Sequence, residues 1–313
     1  VQLPPEAIVD GVIMDSSVVA EAIRNLYANL KITNRSVATS VAGHSLIVKK
    51  IVLPMMAENE LETQIQWEAG QYIPFEIEDV NLDFQILGPA ADPNTMEVLL
   101  VAVKKDIIND YMAVLSEAGL TVEVVDVDAF AMENIFSVSY PELMEKTVVL
   151  IDIGAGIMNI NILRNGVSAF TRDITLGGSN FTEELQKDLG VSYDEAEALK
   201  LGGSSDQASV EDVGRILSGM VDSLVLEIQR SLDFFGAASS EEEIFGIYLA
   251  GGACKLSGLA ESLEERQGAP VKLMQAFKEI TYSQRRFDPD YLDAMGPVAV
   301  VAAGLALRRT DER

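Results

Sequence analysis

Residues 148–156 read Val148-Val149-Leu150-Ile151-Asp152-Ile153-Gly154-Ala155-Gly156. An apolar strand delivers an aspartate near its end and then meets a tight turn with two glycines. Glycine lets a backbone approach a ligand closely, and a turn of this kind aims its N–H groups at an anion. The aspartate suits Mg2+ held through its water shell, because magnesium usually keeps several waters. Taken alone, the segment reads equally well as a hairpin with a capping aspartate, since glycine-rich turns are common. Working outward, residues 158–163 and 167–174 read as two more strands, joined by the hairpin signal Asn165-Gly166. Gly177-Gly178 then opens a helix around Phe181, Leu185 and Leu189.

A second segment of the same kind follows a helical stretch. In Ile247-Tyr248-Leu249-Ala250-Gly251-Gly252-Ala253-Cys254 a strand again meets a double glycine, and Ser257 is placed to start a helix. Two residues without side chains let a flat nucleoside lie against the turn. The plain alternative is a strand-to-helix connection that needs left-handed backbone.

The rest of the chain alternates strands and helices, the mark of an α/β or α+β protein. Residues 18–30, 58–72, 106–118, 128–138, 210–235, 257–266 and 294–308 read as helices, with Asp106 as a cap. Strands at 45–53, 80–87 and 96–104, with the helices at 58–72 and 106–118, make a β-α-β-β-α unit. Glu241-Glu242-Glu243 reads as a solvated acidic loop. Trp67 lies one position off the apolar face of its helix; core packing is the default expectation and a protein-contact anchor the alternative. His44 reads as a surface turn residue and Cys254 as a small buried apolar group.

Composition narrows the function. The 313 residues carry 23 Lys+Arg against 49 Asp+Glu, a formal net charge of -26. Phosphate backbones and anionic lipid repel such a chain, so a basic face for nucleic acid or a flat membrane surface is excluded. One cysteine and one histidine exclude internal disulfides, zinc clusters and a Ser/His/Asp triad. No signal peptide or spanning segment is visible. The chain length suggests two domains, and the cysteine usage a reducing, cytoplasmic compartment.

The two glycine segments with a helical stretch between them resemble the actin, Hsp-type chaperone and sugar-kinase ATPase superfamily. Asp152-Ile153-Gly154-Ala155-Gly156 is similar to its second phosphate loop and Leu249-Ala250-Gly251-Gly252-Ala253 to its adenosine loop. Residues 125–131 and 296–306 resemble its two connecting segments. Within the superfamily the resemblance is to the PilM family of type IV pilus assembly, relatives of the cell-division protein FtsA. It is carried by the unit at 45–118, by Gly70-Gln71-Tyr72-Ile73-Pro74-Phe75, by Val101-Ala102-Val103-Lys104-Lys105 and by Ser231-Leu232-Asp233-Phe234-Phe235.

The resemblance implies an actin-like (ribonuclease-H-like) two-lobe ATPase fold with an FtsA-type inserted β-α-β-β-α subdomain. The first lobe would comprise residues 1–44 and 120–146, and the insert 45–119. The second lobe would comprise 147–178 and 246–293, its helical subdomain 179–245, and the C-terminal helix 294–313. It further implies ATP and Mg2+ as cofactors. Asp152 would bind Mg2+ through water, and Gly154, Ala155 and Gly156 would give N–H groups to phosphates. Gly251, Gly252 and Ala253 would line adenosine. Glu197 and Lys200 match a helix that contacts the nucleoside, though they read equally well as a surface charge pair. Asp128 matches a carboxylate that orients the attacking water; as a residue it reads as an N-cap, and Asp126 competes for the role.

As partners the resemblance implies the cytoplasmic N-terminal peptide of PilN, in a groove near the insert, and other pilus assembly proteins. The chain would couple PilN to the pilus motor at the inner membrane, with slow or no ATP hydrolysis and with homo-oligomers or rings as an option. A small-molecule kinase of the superfamily and an FtsA-like division protein are the alternatives. One departure stands out: the superfamily's first phosphate loop, a strand followed by Asp-x-Gly, is absent before Leu3-Pro4-Pro5. The expectation is a chain shortened at its N-terminus, binding ATP weakly on its own.

Overall fold

The computed structural model describes residues 1, 3–238 and 243–309. The chain divides into two compact units, Val1–Asp126 with Arg309, and Val127–Arg308.

The first unit opens with a short hairpin, β1 (Ile8–Val9) and β2 (Val12–Ile13), followed by α1 (Ser16–Asn29). Asp15 starts that helix, its carboxylate accepting from the Val18 N–H at 3.1 Å. Then come β3 (Ser36–Val41), β4 (Leu46–Pro54), α2 (Glu58–Ala69), β5 (Val80–Pro89), β6 (Thr95–Lys104), α3 (Lys105–Glu117) and β7 (Thr121–Val127), whose last residue belongs to the second unit. β4, β6 and β5 form an antiparallel sheet in that spatial order, and β3 pairs with β7. Leu61, Ile65 and Ala69 of α2 bury against Ile51, Leu53, Val98 and Leu100. Gly70 ends α2 before the expected Tyr72. Trp67 is not in this core. It lies two residues beyond Ile65, about 200° around the helix, and is 80% exposed. Asp106 does not cap α3 either: Lys104 holds the cap position, and Asp106 sits in the first turn, accepting from the Ile107 N–H at 2.8 Å. His44 is exposed in a turn, as expected.

The second unit is built on a five-stranded sheet. It contains α4 (Asp128–Ser139), β8 (Val148–Ile153), β9 (Met158–Arg164), β10 (Val167–Ile174), α5 (Gly178–Leu189), α6 (Tyr193–Lys200), α7 (Val210–Ala238), β11 (Gly246–Ala250), α8 (Leu259–Gln267), β12 (Val271–Leu273), α9 (Pro289–Met295) and α10 (Val300–Ala306). The strand order is β10-β9-β8-β11-β12, antiparallel through β8 and parallel beyond it. β8 is covered on both faces, which is why it reads as an unbroken apolar run. Val149, Ile151 and Ile153 pack with α7 residues Leu224, Val225 and Ile228. Val148 and Leu150 pack on the other face with Met132, Ile135 and Phe136 of α4 and Val300 of α10.

α10 and α4 meet backbone to backbone. A methyl group on Gly304 would lie 1.8 Å from the Ala131 carbonyl oxygen, so only glycine permits the approach. The single helix expected over 294–308 is instead two, α9 and α10, broken around Pro297, which has no amide hydrogen to donate. Residues 310–313 of the expected C-terminal segment 294–313 lie outside the described residues, as do 241 and 242 of the acidic loop.

Candidate functional site

Apart from the competing Asp126, the nucleotide-site residues expected from the sequence fall in the second unit. Asp152 stands at the end of β8 on the face of Val148 and Leu150, and the turn Gly154–Gly156 follows it. That turn is closed by the Gly154 N–H, which donates to Ile157 O at 2.9 Å. The Gly154 N–H is therefore not a phosphate donor, a correction to the expectation; the N–H groups of Ala155 and Gly156 are the turn's remaining candidates. The turn's carbonyls are held by the start of α5. Gly178 N–H donates to Gly154 O at 2.9 Å and Ser179 N–H to Ala155 O at 2.8 Å. Gly177 is required for this approach, because a methyl there would lie 2.4 Å from Ala155 O. Read from the sequence, Gly177-Gly178 is only a helix start. The signal for its second role is the doubled glycine itself, which a helix N-terminus does not need unless another backbone comes close.

The second double glycine comes to the same place. Gly251 has φ +88°, and a methyl on it would lie 2.3 Å from Ile153 O and 2.5 Å from the Asp152 carboxylate. Its N–H donates to Pro297 O at 2.9 Å, and the Ala253 N–H donates to Ile153 O at 3.0 Å. Gly252 faces open space: a methyl on it would meet no atom within 4 Å. The adenosine-like loop is thus strapped to the end of β8, and a methyl on Gly178 would lie 3.3 Å from the Ala253 methyl.

Glu197 and Lys200 are not a surface charge pair. The Lys200 ammonium donates to Gly178 O at 3.0 Å, to Thr182 Oγ1 at 2.9 Å and to Glu197 Oε1 at 2.5 Å. Its side chain is only 10% exposed and that of Glu197 23%. Thr182 Oγ1 also bonds Glu197. The pair locks α6 onto the first turn of α5, next to the glycines of the cradle. Cys254 is buried, and burial pushes its thiol up to about 11, which makes it an inert apolar group.

Asp128 is the first residue of α4, with Val127 in the cap position, so the N-cap reading does not hold. Its carboxylate acts on Asp152. Burial first, and the negative charge of Asp128 second, push the Asp152 carboxyl from 3.8 up to about 7. Asp126 is buried in β7 of the first unit.

This arrangement suits a hydrated Mg2+ ion. Asp152 faces a second carboxylate, and the groups that set its proton affinity include no cation. A divalent ion would relieve both effects. Among the described residues no set of three His, Cys, Asp or Glu side chains can chelate a metal directly. Phosphates and waters would supply the remaining ligands, as is usual for magnesium.

The raised pKa sets a pH dependence. Asp152 keeps its proton in the folded state after the unfolded chain has lost it, so stability falls as pH rises from about 4 to about 7 and then levels off. Asp152→Asn should flatten that slope and raise stability at about pH 8, by at most about 4 kcal/mol. Urea midpoints of both proteins in metal-free buffer test this; identical slopes would refute it.

Comparison with solved structures identifies the class this fold defines. EutJ from Carboxydothermus hydrogenoformans matches at 14% identity with a TM-score of 0.56, over 96% of this chain and 77% of that one. MreB 5 of Spiroplasma citri, solved bound to AMPPNP, matches at 13% identity with a TM-score of 0.55 over the same shares. At such identities the likeness is one of fold alone, and the fold is actin-like. A family model described as type IV pilus assembly protein PilM matches residues 1–310, and the chain belongs to that family of actin-like pilus-assembly proteins.

A structure described as a PilM-PilN type IV pilus biogenesis complex aligns at 29% identity with a TM-score of 0.88, covering 100% of this chain and 90% of that one. Among curated proteins, cell division protein FtsA of Bacillus subtilis (strain 168) is 26% identical over 195 residues, 60% of this chain and 43% of that protein. FtsA of Streptococcus pneumoniae is 28% identical over 199 residues, 57% of this chain and 42% of that protein. The chain therefore spans less than half the length of these curated relatives.

Proposed function

We propose that this protein is an ATP-binding scaffold of the type IV pilus inner-membrane complex, which takes the cytoplasmic N-terminal peptide of PilN and couples it to the pilus motor. The observation that carries this is the likeness, over the whole chain, to the PilM of a PilM-PilN complex. ATP binding is supported by the cradle of the second unit and by the AMPPNP-bound and ADP-bound MreB5 structures that share its fold. When bound, Mg2+ would supply charge neutralisation at the phosphates. Asp152 would hold its water shell, Ala155 and Gly156 would present N–H groups to phosphate oxygens, and Gly251, Gly252 and Ala253 would line the adenosine. Asp128, in the first turn of α4, would orient water beside Asp152. Lys200 and Glu197 would act at one remove, by fixing the start of α5.

No helix among the described residues is long and apolar enough to cross a membrane. The charge of -26 disfavours anionic lipid. Attachment to the inner membrane would then run through protein partners, and a basic partner segment would be favoured on charge.

The test is calorimetric titration of the full-length protein with a PilN N-terminal peptide, with and without Mg·ATP. Binding is expected in at least one state, with affinity that depends on nucleotide. Failure in both states would remove the scaffold reading.

A further inference from the structure

Two asparagines stand on the same face of β9, and they are treated differently. Asn161, fully buried, has both ends of its amide engaged: Nδ2 donates to Ala129 O in the first turn of α4 at 2.9 Å, and Oδ1 accepts from the Ser168 hydroxyl at 2.5 Å. It is a structural tie. Asn159 is only 3% exposed. Its Nδ2 donates to Asp173 of β10. Its Oδ1 is buried and accepts no hydrogen bond among the described residues. Turning the amide over would set its oxygen against the Asp173 carboxylate, so the observed orientation is the one the charges select. Burying an amide oxygen without a donor is costly, and few folded proteins leave one without a use.

The sheet register shows where that oxygen lies. Asp152 pairs directly with Asn159, and Asn159 pairs directly with Asp173. Directly opposed residues share a face, so Asp152, Asn159 and Asp173 form a row across β8, β9 and β10. Asp173 fixes the amide from one side, and Asp152 adjoins it on the other.

We propose that Asn159 is a positioning residue for the cation, its oxygen accepting a hydrogen bond from a water in the shell of a divalent ion held beside Asp152. The proposal rests on the nucleotide-site reading and adds Asn159 as an acceptor and Asp173 as the clamp that orients it. Outer-shell partners of this kind typically change metal affinity by about 10–100-fold when removed.

The probe is Mn2+, followed by electron paramagnetic resonance on the full chain, with and without ADP. Asn159→Leu should weaken Mn2+ binding about tenfold or more. Asn159→Asp combined with Asp173→Asn, which keeps an oxygen at the position and a donor–acceptor pair beside it, should bind at least as tightly as the parent protein. Circular dichroism melts establish that each variant is folded. Equal affinity in all three proteins, or equal loss in both variants, would overturn the proposal while leaving nucleotide binding standing. If the parent protein binds Mn2+ only without ADP and Asn159→Leu weakens that binding, the nucleotide reading fails and the Asn159 assignment survives. No Mn2+ binding by the parent protein in either condition overturns the assignment.

Discussion

Lys200→Met is expected to destabilise the protein by about 3–5 kcal/mol, the usual effect of removing one partner from a buried ion pair. For a unit of this size the melting temperature should fall by about 10 °C. Methionine preserves the bulk of the lysine stem but none of its three hydrogen bonds, to Gly178 O, Thr182 Oγ1 and Glu197 Oε1. Glu197 is then a largely buried carboxylate left with only the hydroxyls of Thr182 and Tyr193 for partners. The double variant Lys200→Met/Glu197→Gln removes both charges and should recover most of the loss, because a buried pair contributes little net once its desolvation is counted. Thermal melts and urea titrations of the parent, single and double variants give the coupling. If the double variant is as unstable as the single, charge is not what the pair supplies.

Gly251→Ala is expected to lose about 2–5 kcal/mol and, with it, nucleotide binding. Two costs add. A φ of +88° is a region that residues with a β-carbon rarely adopt, at about 1–2 kcal/mol. The added methyl also meets the Ile153 carbonyl and the Asp152 carboxylate at 2.3 and 2.5 Å, where backbone on β8 cannot withdraw without moving the sheet. Overpacking of that kind adds about 1–3 kcal/mol. Gly252→Ala is the control. Its methyl enters open space and its φ is unstrained, so folding should be unaffected while a nucleoside lying against the loop would be displaced. Nucleotide affinity and melting temperature measured on both variants separate the roles. Normal stability of Gly251→Ala with loss at Gly252→Ala would reverse the assignment.

The strand–turn segments are legible in the sequence because their signals are local. β8 is an unbroken apolar run buried on both faces, and Gly251 carries its conformational requirement in its identity. The N–H of Gly154 is not legible, because a turn's internal bond, here to Ile157, depends on how the next strand enters. Trp67 is misread from its aromatic bulk: helical periodicity places it opposite Ile65, and the angle wins. Glu197 and Lys200 look like any helical i,i+3 pair. Their burial comes from α5 lying across α6, which no spacing in the sequence reveals. The Asp152-Asn159-Asp173 row is hidden for a sharper reason. Cross-strand register is not written in either strand, and a shift of one residue would send Asn159 to the opposite face.

The contact between Gly304 and Ala131 has a mechanical consequence. α4 carries Asp128 in its first turn, is tied to β9 through Ala129 O and Asn161, and touches α10 with no side chain between the two backbones. Two helices in such contact have no lubricating layer of side chains over which to slide. Any stroke that shifts Asp128 relative to Asp152 must therefore carry α10 along as part of the same lever.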